Sequence, residues 1–206
     1  MDRLSGFRRN YRGCLIGVLA AAVFLVASGD ARAIDVEGVD LPYRIQLTAG
    51  GPDLVFNGGG VRWHWFFRVY IGALYMEKNV STARAVLADD GPKRLALYVL
   101  RDISADELLK DFNKGLHDNN TRAQLAPLAA RLKTLDKLFQ KVGDIKQGDR
   151  IFIDYLPSLG TRLTINGVVE GSIPGVDFNR AVMRIWFGGH PADTLLMQAM
   201  LGKAAQ

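Results

Sequence analysis

The stretch Gly58–Met76, GGGVRWHWFFRVYIGALYM, constrains this chain more than any other. Glycine ahead of a β-rich run marks a turn, a bulge or a place where something approaches the backbone closely. Beyond the three glycines, aromatic and β-branched residues interleave with cations. That suits a strand with one packed face and one wetter face. An arginine turned toward the packed face is costly unless paired, and is then a candidate anion binder. Spacing leaves two readings open for Arg62 and Arg68: a cation that reaches solvent, as most do, or a group held inward for an anion.

Residues 1–33 read as a leader. Arg3, Arg8, Arg9 and Arg12 precede an apolar run from Cys14 to Ala27, and Ala31-Arg32-Ala33 supplies a small-x-small cleavage pattern. The run is shorter than the roughly 20 residues that span a bilayer, so the pattern is that of a cleaved secretory signal. The expectation is export to the periplasm, Ile34 as the first mature residue, and no stable membrane insertion after cleavage. The leader holds five of the 26 Lys and Arg and two of the 21 Asp and Glu. The remainder is therefore near neutral and lacks the persistent basic excess of a nucleic-acid binder. Past Cys14 there is no cysteine, hence no disulfide, thiol nucleophile or cysteine metal site. Residues 34–206 are long enough to bury one core without staples.

Along that domain, Ile34–Val39 and Tyr43–Thr48 read as strands, and Leu54–Phe56 leads into the glycines. Ser81 is placed to cap a short helix to Leu87, and Arg94–Leu100 is a strand. Ser104 with Glu107 makes a capping box for a helix in which Leu108, Leu109, Phe112 and Leu116 share a face. A further helix starts near Arg122, although Pro127 is tolerable only in a first turn. Asp149–Tyr155, Thr161–Ile165 and Val168–Ser172 are strands, the last two joined by Asn166-Gly167, the strongest hairpin signal present. Helices over Phe178–Phe187, with Ala181, Val182, Ile185 and Trp186 inward, and over Ala192–Leu201 complete the pattern. Strands in hairpin order with helices bunched between and after them indicate an α+β fold with a large, mostly antiparallel sheet.

Catalytic signatures are sparse. Gly58-Gly59-Gly60 precedes a strand, unlike a phosphate-cradling loop, and no GxSxG elbow occurs. His64, His117 and His190 lack metal-ligand spacing. Asp89-Asp90 beside Gly91-Pro92 reads as a solvated loop, and Asp102 and Asp106 as helix-start chemistry. No cofactor or metal is expected.

Several segments, taken in order, carry a resemblance. They are Asn57–Arg62 (NGGGVR), Arg68–Met76 (RVYIGALYM), Lys93–Asp102, Phe112–Gly115, Gly148-Asp149, Gly160–Gly167, Gly171–Asn179, Ile185–Gly188 and Pro191. Together they resemble the chalcone isomerase-like family, in particular its exported bacterial branch. The resemblance implies a large antiparallel sheet covered on one face by a layer of helices, an open-faced β-sandwich. In the plant enzyme an arginine of a glycine-rich segment stabilises the oxyanion that closes a flavanone ring, and Arg62 matches it. Tyr70 falls where that enzyme has a hydroxyl donor. Fatty-acid-binding relatives hold a carboxylate with an arginine and a tyrosine, and Arg62 with Tyr70 resembles that pair. A guanidinium offers paired donors to a carboxylate and a phenol adds a neutral one.

The resemblance imposes a geometry. In one straight strand, residues eight apart lie roughly 26 Å apart at about 3.3 Å per residue. Arg62 and Tyr70 cooperate only if the chain folds back near Phe66, within Trp63–Phe67, where no Asn-Gly or Pro offers a turn. The enzyme's further helpers, a tyrosine and an asparagine on or near a later helix, have no counterpart in Arg122–Val142. The expectation is therefore an exported, non-catalytic binder of a fatty acid or similar amphipathic carboxylate. The alternative is a cofactor-free isomerase or lyase acting on an enone or phenolic ligand, with Arg62 as oxyanion stabiliser and Tyr98 or Tyr155 supplying the additional phenol or hydroxyl it requires. A third reading gives Arg62 a buried acid as partner and no ligand.

Overall fold

The computed structural model describes residues 33–203; apart from Ala33, the expected leader lies outside these residues. Strands β1 (Ala33–Val36) and β2 (Val39–Pro42) form a small hairpin of their own. Seven more strands form one antiparallel meander in chain order. They are β3 (Arg44–Gln46), β4 (Asp53–His64), β5 (Phe67–Met76), β6 (Lys93–Val99), β7 (Arg150–Leu156), β8 (Gly160–Ile165) and β9 (Val168–Ile173). The helices are α1 (Ala83–Ala88), α2 (Ala105–Asn119), α3 (Arg122–Leu125), α4 (Ala129–Val142), α5 (Val176–Phe187) and α6 (Thr194–Met200). This is the α+β architecture expected, a large antiparallel sheet with helices on one face.

Turn chemistry explains most departures from the sequence-based boundaries. Ile34–Val39 is not one strand, because Glu37 and Gly38 take φ of 55° and 86° and reverse the chain there. Asn166-Gly167 turns as expected, with φ of 50° and 84°. Thr82, rather than Ser81, caps α1 through its hydroxyl. Ser104 caps α2, but the Glu107 side chain pairs with Arg101 instead of returning to the cap, so only half of the capping box forms. Pro127 lies in a 3₁₀ turn, Ala126–Leu128, that splits the expected single helix into α3 and α4. Asp89 is more than a solvated loop residue: the buried Lys93 ammonium donates to the Asp89 and Gly91 carbonyls and lies 3.2 Å from the Asp89 carboxylate.

The sheet separates two cores. Period-two alternation sends Leu95, Leu97 and Val99 toward the helices, with Phe112, Leu135, Phe139, Val182 and Trp186. The opposite face carries Leu54, Ile71, Ala73, Tyr75 and Ala96, partly covered by Val36, Val39 and Leu41 of the β1–β2 hairpin. On that face the fully buried Asp154 accepts a paired bond from Arg94, at 2.6 and 2.9 Å, and a third from Arg162 at 2.8 Å. Such buried charge is tolerable because its oxygens are met.

The glycine run is where α6 lies against β4. A Cβ on Gly58 would meet the Ala199 carbonyl oxygen at 2.2 Å, and one on Gly60 would meet the Ala199 methyl at 2.7 Å. Opposite Gly60, Gly72 makes room for Leu196. Both ends of α6 are tied to the same strand. Its N-cap, Asp193, accepts from the Trp63 amide at 3.0 Å, and Asn57 donates to the Met200 carbonyl at 2.7 Å. Asn57 also exchanges hydrogen bonds with Val80 and sits at a register shift between Phe56 and Gly58.

Candidate functional site

Arg62 and Tyr70 meet across the β4–β5 ladder. The chain reverses at Trp65-Phe66, setting His64 opposite Phe67 and Trp63 opposite Arg68. Continued in step, that register would put Arg62 against Val69 and send Tyr70 to the other face of the sheet. A bulge prevents this. The register slips between Arg62 and Trp63, Val69 becomes the extra residue, and Arg62 pairs with Tyr70. Val69 and Tyr70 accordingly both enter the helix-side core. The second slip, at Asn57, restores the original register beyond the glycines. Two compensating bulges thus confine the shift to the segment that carries the site.

Arg62 points inward, its side chain 13% exposed. Its guanidinium carbon lies 5.6 Å from the centroid of the Tyr70 ring. Of the five guanidinium donors, one on Nη2 reaches Asp111 Oδ2 of α2 at 3.5 Å. Buried Nε has no partner among the described residues. Asp111 is 41% exposed, so Arg62 is not the cation of a buried ion pair. An ion pair of this length and exposure contributes at most about 1 kcal/mol. The arginine is held in the fold with most of its bonding capacity unspent.

Tyr70 is buried, and its hydroxyl accepts from Trp186 Nε1 of α5 at 2.8 Å. Burial pushes its phenol pKa up, opposed in part by the charge of Arg62. The group is therefore a neutral hydroxyl at ordinary pH, and no hydrogen bond from it forms among the described residues. A cavity of about 100 Å³ runs from this pair between the sheet and α2, α4 and α5. Val99, Ile151 and Leu163 wall it from the strands, and Leu108, Phe139 and Val182 from the helices. Arg62, Tyr70, Glu107, Asp111, Thr161 and Trp186 are its polar lining residues. Glu107 is spoken for by Arg101, whose hydrogen bonds hold its carboxyl below the usual range. Asn179 donates to the Thr161 hydroxyl. An apolar slot with a cation and a phenol at one point suits an amphipathic anion.

The sequence model described as chalcone isomerase-like matches residues 33–202. The chain belongs to the chalcone isomerase-like family. An Arabidopsis thaliana fatty-acid binding protein of known structure is similar in fold to this family member. It has a TM-score of 0.61 at 14% identity, over 82% of this chain and 96% of that one. No curated protein matches the sequence.

Other sequence-predicted residues lie elsewhere. Arg68 belongs to the opposite face, with Nη2 3.5 Å from the Glu37 carboxylate. Tyr98 packs edge-on against Phe152 on that same face, and Tyr155 lies under the Lys93 ammonium, 4.9 Å from it. Neither lines the cavity, so neither brings the additional phenol or hydroxyl expected of the isomerase alternative to Arg62. The three histidines are exposed, and no cluster of metal-ligating side chains occurs among the described residues. Sequence reasoning missed Trp186 as the partner of Tyr70 and Asp111 as the neighbour of Arg62. The inward stripe of α5 signalled Trp186; nothing local signalled Asp111.

Proposed function

We propose that this chalcone isomerase-like protein is a non-catalytic binder of a fatty acid or similar amphipathic carboxylate. The head group sits at Arg62 and Tyr70, and the tail lies in the apolar slot. One observation carries the reading: Arg62 is inward-facing with a buried, partnerless Nε and a single loose contact to Asp111. Leaving a buried charged donor unmet costs roughly 1–3 kcal/mol or more, and a carboxylate removes that cost by accepting paired bonds. The solved fatty-acid binding protein of the same fold supports the choice of ligand class. The slot is smaller than the roughly 300–1,000 Å³ typical of small-molecule pockets, so a long tail requires α2 and α4 to part from the sheet. Export is proposed from the leader pattern of residues 1–33.

The test is native mass spectrometry of gently purified protein beside Arg62→Met. A fatty-acid mass that accompanies the native protein and is lost from the variant supports the reading. A native protein that is empty and takes up neither dodecanoate nor hexadecanoate overturns it.

A further inference from the structure

Helices α1 and α5 pack together, and beside them opens a concavity of about 650 Å³ that shares no lining residue with the slot at Arg62. Arg84 of α1 and Arg180 and Arg184 of α5 line it, and no Asp or Glu does. Both helices go against local electrostatics to present these cations. Arg180 and Arg184 are four residues apart on one helix, where like charges repel. Arg84 stands in the first turn of α1, the positive end of a helix dipole, where a cation is disfavoured. Departures of this kind from local consistency belong to functional sites.

The fold neutralises little of this charge. Arg180 is the one of the three with a carboxylate partner among the described residues, Asp90 at 2.5 Å. The Asp90 side chain is 58% exposed, and such a pair is worth at most about 1 kcal/mol. Arg184 donates through Nη1 to Asn120 Oδ1, a neutral amide that leaves its charge uncompensated. The backbone adds an independent observation. Gly189 lines the same concavity, and its amide has no acceptor among the described residues. A Cβ there would meet nothing within 4 Å, so the glycine keeps open a space that no packing demand explains. Asn119 fastens this segment by accepting from the His190 amide at 2.8 Å.

Guanidiniums meet phosphate oxygens in paired bonds, and a free backbone amide adds a further donor. A phosphate monoester carries about −1.5 to −2 charges at neutral pH, enough to offset the two arginines without an acid, where a carboxylate offsets one. We infer that this concavity binds a phosphate monoester, with the phosphate among Arg84, Arg180 and Arg184 and the organic group against Leu87 and Phe187. The volume falls within the roughly 300–1,000 Å³ of small-molecule pockets and leaves room for that group beyond the phosphate. The site is independent of the carboxylate reading of Arg62.

The experiment is titration calorimetry of the native protein with phenyl phosphate, with phenol as the uncharged control. Saturable binding of phenyl phosphate and none of phenol is expected. Arg84→Gln and Arg184→Gln should each lose about tenfold in affinity, as the loss of a charge-assisted hydrogen bond implies. Arg84 is exposed, so its variant keeps the fold and the test stands even if Arg184→Gln unfolds. Asp90→Asn should bind a few-fold more tightly, because it frees Arg180, and Arg62→Met should bind as the native protein does. Co-sedimentation with phosphatidylcholine vesicles containing phosphatidic acid identifies the source. Vesicle binding that Arg84→Gln loses assigns a lipid monoester; phenyl phosphate binding without it assigns a soluble one. A native protein that takes up neither, an Arg84→Gln variant that binds equally well, or loss of phenyl phosphate in Arg62→Met overturns the inference.

Discussion

Replacing Arg62 by methionine should make the ligand-free protein more stable. The change removes an inward-facing cation whose side chain is 13% exposed and whose Nε lacks a partner. The loss is small: at most about 1 kcal/mol for the 3.5 Å contact with half-exposed Asp111. Cation–π attraction to Tyr70 adds about 0.5–1 kcal/mol at most. The gain is relief from desolvation of the guanidinium, several kcal/mol in a protein interior, while the unbranched thioether fills the space left by the arginine stem. The net gain is about 1–3 kcal/mol, by analogy with buried charges replaced by apolar groups. For a domain of this size each kcal/mol moves the melting temperature by about 2–4 °C, so a rise of about 5 °C is expected. Calorimetry on delipidated native and Arg62→Met protein reads it directly. A melting temperature lowered by several degrees would overturn the expectation, because it would mean that the fold itself satisfies the arginine.

The same geometry has other consequences. Asp111→Asn removes the acid in contact with Arg62, so affinity for dodecanoate should rise a few-fold, about what a weak ion pair is worth, as measured by titration calorimetry. Tyr70→Phe leaves the buried Trp186 N–H without an acceptor and should cost about 1–3 kcal/mol in chemical denaturation. The same variant should bind carboxylate more weakly, and an unchanged affinity would remove Tyr70 from the head-group site. Burial raises the phenol pKa of Tyr70, Tyr75, Tyr98 and Tyr155 above the ordinary value of 10.0. In the interval above that value the unfolded chain has released protons that the folded one keeps, so stability should fall as pH rises through it. Lys93, lowered by burial from its ordinary 10.5, acts in the opposite direction in the interval below that value, one group against four. Denaturant midpoints measured across that alkaline range check the sign.

The fold was legible wherever local chemistry and global pairing agree. Asn166-Gly167 announced its turn because few other dipeptides take positive φ twice. Ser104 announced α2, and the stripe of Ala181, Val182, Ile185 and Trp186 announced the buried face of α5. The site was legible only through the family. Trp65-Phe66 has no turn residue, so tertiary context imposes the reversal against local preference. The bulges at Val69 and Asn57 leave no mark in residue spacing, yet they decide which face Tyr70 joins. A strict two-residue period carried across Val69 would put Tyr70 on the wrong face from Arg62. Tyr98 illustrates the converse. It lies between Leu97 and Val99, which face the helices, so alternation alone excludes it from the cavity once the face is known.

Whether Arg62 receives a carboxylate is the decisive question. Isothermal titration of delipidated protein with dodecanoate, dodecanol and dodecyltrimethylammonium separates head-group recognition from simple burial of a tail. If Arg62 holds the head group, the carboxylate binds saturably and the cation is rejected. The alcohol then binds at least about tenfold more weakly, as the loss of a charge-assisted bond implies. Arg62→Met should bind acid and alcohol equally and weakly. A native protein that binds dodecanol as tightly as dodecanoate would show that Arg62 is no carboxylate site.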